Sequence, residues 1–344
     1  NILMSIKDWS GGIITKNPVV PAGPYQDGAA SGVWTLDQAA DYNKQGIWPI
    51  AGSSAPIALY GGGYTGGVTS AAIQSVVIAS TGNTTYFGDL TYARRLFCVM
   101  SSSSRAVFGT GYPNSPAVNT LDYVTIASAG NATDFGDTTA AMDEGYAGGF
   151  GNETRGIYAG GYQGSPTDTI EYITIATTGN GIDFGNLTQA RTGNVSGYCS
   201  PTRGGIAGGV AGGRVDTIDY VTINSTGNAT DFGNLTQAKD AVAGTSSSTR
   251  GVFGGGYNGG ELNTIEYITI ASTGNGTDFG DLSGIARTAA TSNSVIALFM
   301  GDIVGNLDGI EKVTIATTGN STDFGNLTAA IAQGAACSNA HGGL

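Results

Sequence analysis

Histidine is nearly missing from this sequence: one residue in 344, His341, close to the end. A single imidazole argues against His-based triads, His-rich zinc sites and haem ligation. Cysteine is scarce too. Cys98, Cys199 and Cys337 are odd in number and form no C-x-x-C pair, so they read as small buried thiols rather than a disulfide framework. Charge is thin at 12% of residues, below the density of most disordered segments. Its sign is lopsided, 14 Lys and Arg against 26 Asp and Glu. The resulting net charge of −12 excludes nucleic-acid phosphate as an expected partner. No apolar run approaches the roughly 20 residues of a membrane helix, so no membrane insertion is expected. The opening NILMSIKDWSGG lacks the apolar stretch of a secretory signal. Proline numbers only nine and no three-residue glycine period appears, which excludes collagen despite 58 glycines.

What is present is repetition. A cassette close to T-G-N-x-T-D-F-G-D/N-L occurs six times, its asparagines at Asn83, Asn131, Asn180, Asn228, Asn275 and Asn320. The intervals are 48, 49, 48, 47 and 45 residues, the range of propeller blades or helical arrays. Within the period the pattern is strand. In the third repeat RGIYAGG (155–161) is followed by a polar loop, then TIEYITIA (169–176), a turn, DFGNL (183–187), and a small-residue stretch to Cys199. TIEYITIA is apolar on both faces, Ile170 and Tyr172 on one, Ile173 and Ile175 on the other, so both must be covered. Blades stacked around an axis cover them, and glycine suits the crowded inner strands. Residues 51–344 accommodate six such repeats. The last cassette is followed by AAIAQGAACSNAHGGL, a strand able to complete the blade begun near residue 57. The expected fold is all-β: a six-bladed propeller of four-stranded blades, sealed by a strand from the far end.

The di-glycine runs ending in tyrosine (61–64, 160–162 and 254–257) resemble kelch-type propeller repeats. The Trp typical of kelch blades is absent; the cassette phenylalanines, from Phe87 to Phe324, stand at an analogous core place. The fuller run TIEYITIASTGNGTDFGDL, preceded by STRGVFGGG, resembles kelch-like structural and tail-fibre-type proteins of marine tailed phages, cyanophages among them. That resemblance implies a virion structural protein on the tail or capsid exterior, probing a host surface glycan or protein, bound to other virion proteins and homo-oligomeric in the assembly.

Residues 1–50 differ in composition, holding all three tryptophans, Trp9, Trp34 and Trp48, and four of the nine prolines. Thr35 to Gln38 is a capping-box pattern and Leu36 to Gln45 can form one short helix before Gly46. The segment reads either as an arm docking onto another subunit, with the tryptophans as its candidate contacts, or as a plug on one face of the propeller.

The six repeats also align with one another. Four of them carry Arg at the entrance to the first strand (Arg105, Arg155, Arg203, Arg250), where the first and sixth have Ile57 and Val295. The same four carry an acid at the third position of the second strand (Asp122, Glu171, Asp219, Glu266); the first has Gln74 and the sixth Glu311. Arg–carboxylate pairs are therefore expected, Arg155 with Glu171 and Arg250 with Glu266, the alternative being a charged, solvated rim. The cassette acids recur too regularly for one active site, and D-F-G lacks every other part of a kinase. N-x-T-D-x-G-D has oxygen ligands but not the spacing of an EF-hand, so neither metal nor cofactor is expected. The loops between first and second strands vary most and emerge on one face; Tyr64, Asn114, Gln163 and Asn258 are its candidate contact residues. The expected role is non-enzymatic, a virion module displaying that face. A free or cell-surface lectin-like binding module is the alternative.

Overall fold

The computed structural model describes residues 55–112, 118–142, 148–193, 196–284, 289–302 and 307–344. Pro56–Leu344 forms one compact unit. Trp9, Trp34, Trp48, the helix expected over 36–45, and Asn114 all lie outside the described residues. Among the described residues there are strands and no helix.

Six four-stranded antiparallel sheets form the blades of a propeller. Blade 1 consists of Ala335–Ser338, Ile57–Gly61, Ala72–Val77 and Thr85–Asp89, in order from the axis outward. Blade 2 is Cys98–Ser101, Arg105–Gly109, Val118–Thr125 and Thr133–Met142; blade 3 is Gly148–Gly151, Arg155–Ala159, Thr169–Thr174 and Ile182–Asn186. Blade 4 is Ser196–Cys199, Arg203–Ala207, Thr217–Thr222 and Thr230–Asn234; blade 5 is Ala243–Ser246, Arg250–Gly254, Thr264–Thr269 and Thr277–Asp281. Blade 6 is Ala289–Ser292, Ile296–Asp302, Leu307–Thr314 and Thr322–Asn326. The small-residue stretch at the end of each repeat is thus the innermost strand of the following blade. The last of them closes the ring: Ala335–Ser338 pairs with Ile57–Gly61, Ala58 opposite Ser338 and Gly61 opposite Ala335.

The period follows from how blades meet. Six apolar clusters lie between adjacent blades, and each holds one cassette phenylalanine: Phe87, Phe135, Phe184, Phe232, Phe279 and Phe324. Removing one such ring from water contributes about 1.5–3 kcal/mol. The rest of the cassette is a clasp. The outer strand of every blade would expose an unpaired edge, but the T-G-N turn of the next blade covers it. In blades 4 and 5, Gly274 N–H donates to Phe232 O (2.8 Å), Asn234 N–H to the Asn275 side-chain oxygen (3.0 Å), and Gly276 N–H to Asn234 O (2.7 Å). The asparagine bond recurs at all six joints, including Asn326 N–H to Asn83 Oδ1 (3.0 Å) across the closure. The glycine of D-F-G permits this approach. At Gly233 φ is +145°, and a Cβ there would collide with the Gly274 carbonyl.

The expected Arg155–Glu171 and Arg250–Glu266 pairs are not formed, and register gives the reason. Arg155 lies opposite Thr174 while Glu171 lies opposite Tyr158, an odd offset that puts the two on opposite faces of the sheet. Arg155 instead stacks on Tyr172 (4.5 Å to the ring centroid) and donates to Ile223 O of the next blade (3.1 Å); Arg250 stacks on Tyr267 (4.1 Å) and donates to Ile315 O (2.8 Å). Arg105 and Arg203 repeat the arrangement on Tyr123 and Tyr220. In the sixth repeat the equivalent entrance residue is Ile296, opposite Thr314, not Val295.

The acids turn the other way, toward the segment that follows the preceding cassette. Asp219 accepts from Thr188 N–H (3.1 Å) and Oγ1 (2.6 Å) and pairs with Arg191 (2.8 Å). Asp122 does the same with Thr91 and Arg94, and Glu266 with Thr236 N–H and Lys239 (2.6 Å). All three cations and acids are buried. Glu171 receives only Thr139, because Met142 stands where the others have Arg or Lys. Burial, outweighing the Thr139 bonds, raises its carboxyl above the usual range.

Candidate functional site

Two features of the ring carry the sequence variation: the loop face and the axial channel. The loop face is formed by connections between the second and third strands from the axis. Tyr64 is half-buried there, beneath Arg95 (4.5 Å to its ring), and its N–H donates to Ala332 O (2.7 Å). Gln163 and Asn258 are exposed at equivalent loop tips, where their N–H groups close tight turns onto Ser165 O (3.0 Å) and Gly260 O (3.1 Å). Tyr64, Gln163 and Asn258 belong to blades 1, 3 and 5, so the structure spreads them around the face rather than gathering them. Several described loop residues bind the segments that lead into neighbouring inner strands. Tyr112 and Arg95 exchange backbone bonds, Tyr257 and Asp240 likewise, and Arg214 bridges to Asp240 (2.8 Å) while stacking on Tyr257 (4.5 Å).

The channel is lined by the innermost strands, whose second and fourth residues face the axis. The second positions are Val99, Gly149, Gly197, Gly244, Ala290 and Ala336, small enough for backbones to meet: a Cβ on Gly197 would collide with the Gly149 carbonyl. The fourth positions are Ser101, Gly151, Cys199, Ser246, Ser292 and Ser338. Their hydroxyls form a chain around the axis. Ser101 donates to Ser338 O (2.8 Å), Ser338 to Ser292 O, Ser292 to Ser246 O (2.7 Å), and Ser246 to Cys199 O (2.7 Å). The chain stops at Cys199, the one thiol in the ring, beside Gly151, which has no side chain. A cavity of about 50 Å³ runs between these residues, room for a few water molecules.

Residues 339–344 lie across this end of the channel. Asn339 ties to Ile57, Gly342 N–H donates to Ser246 O (2.9 Å), and His341 reaches between blades 2 and 4. His341 Nε2 lies 2.9 Å from Ser101 O and Nδ1 lies 3.5 Å from Cys199 Sγ. A nitrogen against a carbonyl oxygen must carry the proton, so Nε2 is the donor. Nδ1 is then the acceptor, consistent with the Gly343 N–H that also points at it (3.1 Å). Burial alone would raise the Cys199 thiol, but His341, joined by the Gly151 N–H and the Ser246 hydroxyl, draws it below its usual range. Cys98 and Cys337, without such a partner, are pushed up by burial to about 11 and about 12. All three cysteines are free and buried, as the sequence reading has them.

The pairing of Cys199 with His341 escaped sequence reasoning, although a signal existed. Cys199 stands where four repeats have Ser, and His341 follows Ser338 of the same column by three residues. Among the described residues no group of three or more His, Cys, Asp or Glu is placed to hold a metal ion, and no helix is long and apolar enough to cross a membrane. No protein-family model matches the chain, and no curated protein matches it.

Proposed function

We propose that this chain is a non-enzymatic structural module of a tailed-phage virion, anchored through residues 1–50 and presenting the loop face of its propeller to a host surface. The observation that carries this reading is the distribution of variation. Blade interiors and joints are near copies of one another, while the loops on one face differ in length and residue from blade to blade. A rigid ring that holds varied polar loops is suited to recognition by backbone and amide groups, and nothing in it requires turnover. The resemblance of the cassette to phage kelch-like proteins, and the aromatic, proline-rich composition of residues 1–50, support placement in a particle. Electron cryomicroscopy of the native particle tests the proposal. Propellers at symmetric positions with Trp9, Trp34 and Trp48 seated in a neighbouring protein are expected; a free chain or an uncontacted N-terminal segment overturns it.

A lectin-like module outside any particle is the second reading. It is favoured by the exposed amides of Gln163 and Asn258 at equivalent loop tips. Saturable glycan binding by the isolated chain, lost on replacing those two residues, distinguishes it.

A further inference from the structure

We propose that Cys199 and His341 form a hydroperoxide-reactive thiol site at the mouth of the axial channel, with Cys199 as nucleophile and His341 Nδ1 as its base. The three parts of an activated nucleophile are in place. The thiol sulfur lies 3.5 Å from an imidazole nitrogen, and a third group orients that ring, since the opposite nitrogen is held 2.9 Å from Ser101 O. Both residues line the channel cavity, whose volume of about 50 Å³ admits a molecule the size of hydrogen peroxide. The channel wall around the sulfur is small and polar, and Ser246 Oγ stands 3.7 Å away. The backbone N–H groups around the sulfur are engaged: Cys199 N–H by Ser246 Oγ, Gly342 N–H by Ser246 O, Gly343 N–H by His341, and Gly151 N–H is directed at the sulfur itself, so none is placed to hold an oxyanion. The site therefore fits oxidation of sulfur rather than acyl transfer.

The thiol proton passes to His341 Nδ1, and sulfur attacks one peroxide oxygen. An S–O bond forms and the O–O bond breaks. Sulfur gives up two electrons to become a sulfenic acid, and the departing hydroxide takes the proton from His341 to leave as water. While His341 holds that proton, Nδ1 is a donor and no longer accepts from Gly343 N–H. Reaction at the sulfur is thereby coupled to the grip of residues 342–344 on the channel end.

The test uses the full chain and hydrogen peroxide near neutral pH, with oxygen gain at each cysteine-bearing peptide followed by mass spectrometry. Cys199 is expected to gain oxygen at least about tenfold faster than Cys98 or Cys337. Equal rates at the three overturn the proposal in the wild-type chain, with no variant that might misfold. His341→Gln, which keeps an amide able to reach Ser101 O, is expected to bring Cys199 down to the rate of the other two. It should also move the pH at which the Cys199 rate rises upward. An unchanged pH profile in that variant overturns the role of His341. The other charged group acting on His341 is Glu153, which is held by Ser103 N–H (2.9 Å) and Oγ (2.7 Å); Glu153→Gln is expected to leave Cys199 the fastest of the three.

Discussion

Arg191 and Asp219 meet at 2.8 Å with neither side chain reaching solvent. The pair ties the segment after one cassette to the third strand of the following blade, and burial makes it indispensable once present. Asp219→Asn leaves a buried guanidinium without its counter-charge, and a loss of about 3–5 kcal/mol is expected in urea unfolding. Blade 1 shows the uncharged solution, Gln74 and Ile331 at the equivalent positions, with Gln74 Oε1 accepting Thr328 N–H (2.7 Å). Installing it as Asp219→Gln with Arg191→Ile is expected to recover most of the loss, whereas two independent defects would add.

Glu171, like Glu311, has no cation partner among the described residues, and its behaviour should be opposite to that of Asp219. Burial raises its folded-state pKa. Its contribution is therefore fully present below the ordinary glutamate range and is lost as pH rises through the raised value. Glu171→Gln keeps an acceptor for Thr139 and is expected to unfold no earlier than wild type at neutral pH. It should also flatten the decline in stability above about pH 4 to 5. A variant melting well below wild type at pH 7 contradicts this.

The rim clasp predicts a different cost. Gly233→Ala places a methyl against the Gly274 carbonyl at a φ of +145°. A loss of about 1–3 kcal/mol is expected by thermal or urea melting, with the joint between blades 4 and 5 opening first in hydrogen exchange. Asn275→Ala, which removes only the side-chain acceptor for Asn234 N–H, should cost about 1 kcal/mol.

Deleting residues 335–344 removes the innermost strand of blade 1 and bares the edge of Ile57–Gly61. Loss of the cooperative melting transition, with association visible in size-exclusion chromatography, is expected. A monomeric chain melting as wild type would show that the ring closes without its last strand.

The architecture was legible because it is written six times. Period, strand pattern and the closing strand all follow from residues whose spacing repeats, and the structure has each of them. The side-chain pairing was not. Arg155 and Glu171 occur together in four repeats, but so does Tyr172, one residue on and on the other face, and Tyr172 is what Arg155 touches. Co-occurrence along a strand selects a residue pair only once the parity of the register is known. The cations that do meet the acids, Arg94, Arg191 and Lys239, sit in the preceding cassette's tail, and pairing them required knowing which blade packs on which. Cys199 and His341, 142 residues apart, come together only because the chain end folds over the channel.

The seam in blade 1 has a mechanical consequence. Ala58 lies opposite Ser338 and Gly61 opposite Ala335, so the chain enters and leaves the closing pair at the same end. Tension applied through residues 57 and 338 would peel this pair one rung at a time instead of loading all rungs together. The first rung is also the one that Asn339 fastens, by accepting Ile57 N–H at 2.7 Å and donating its own N–H to Ile57 O at 3.3 Å. A ring hauled on from that side yields at a single buckle.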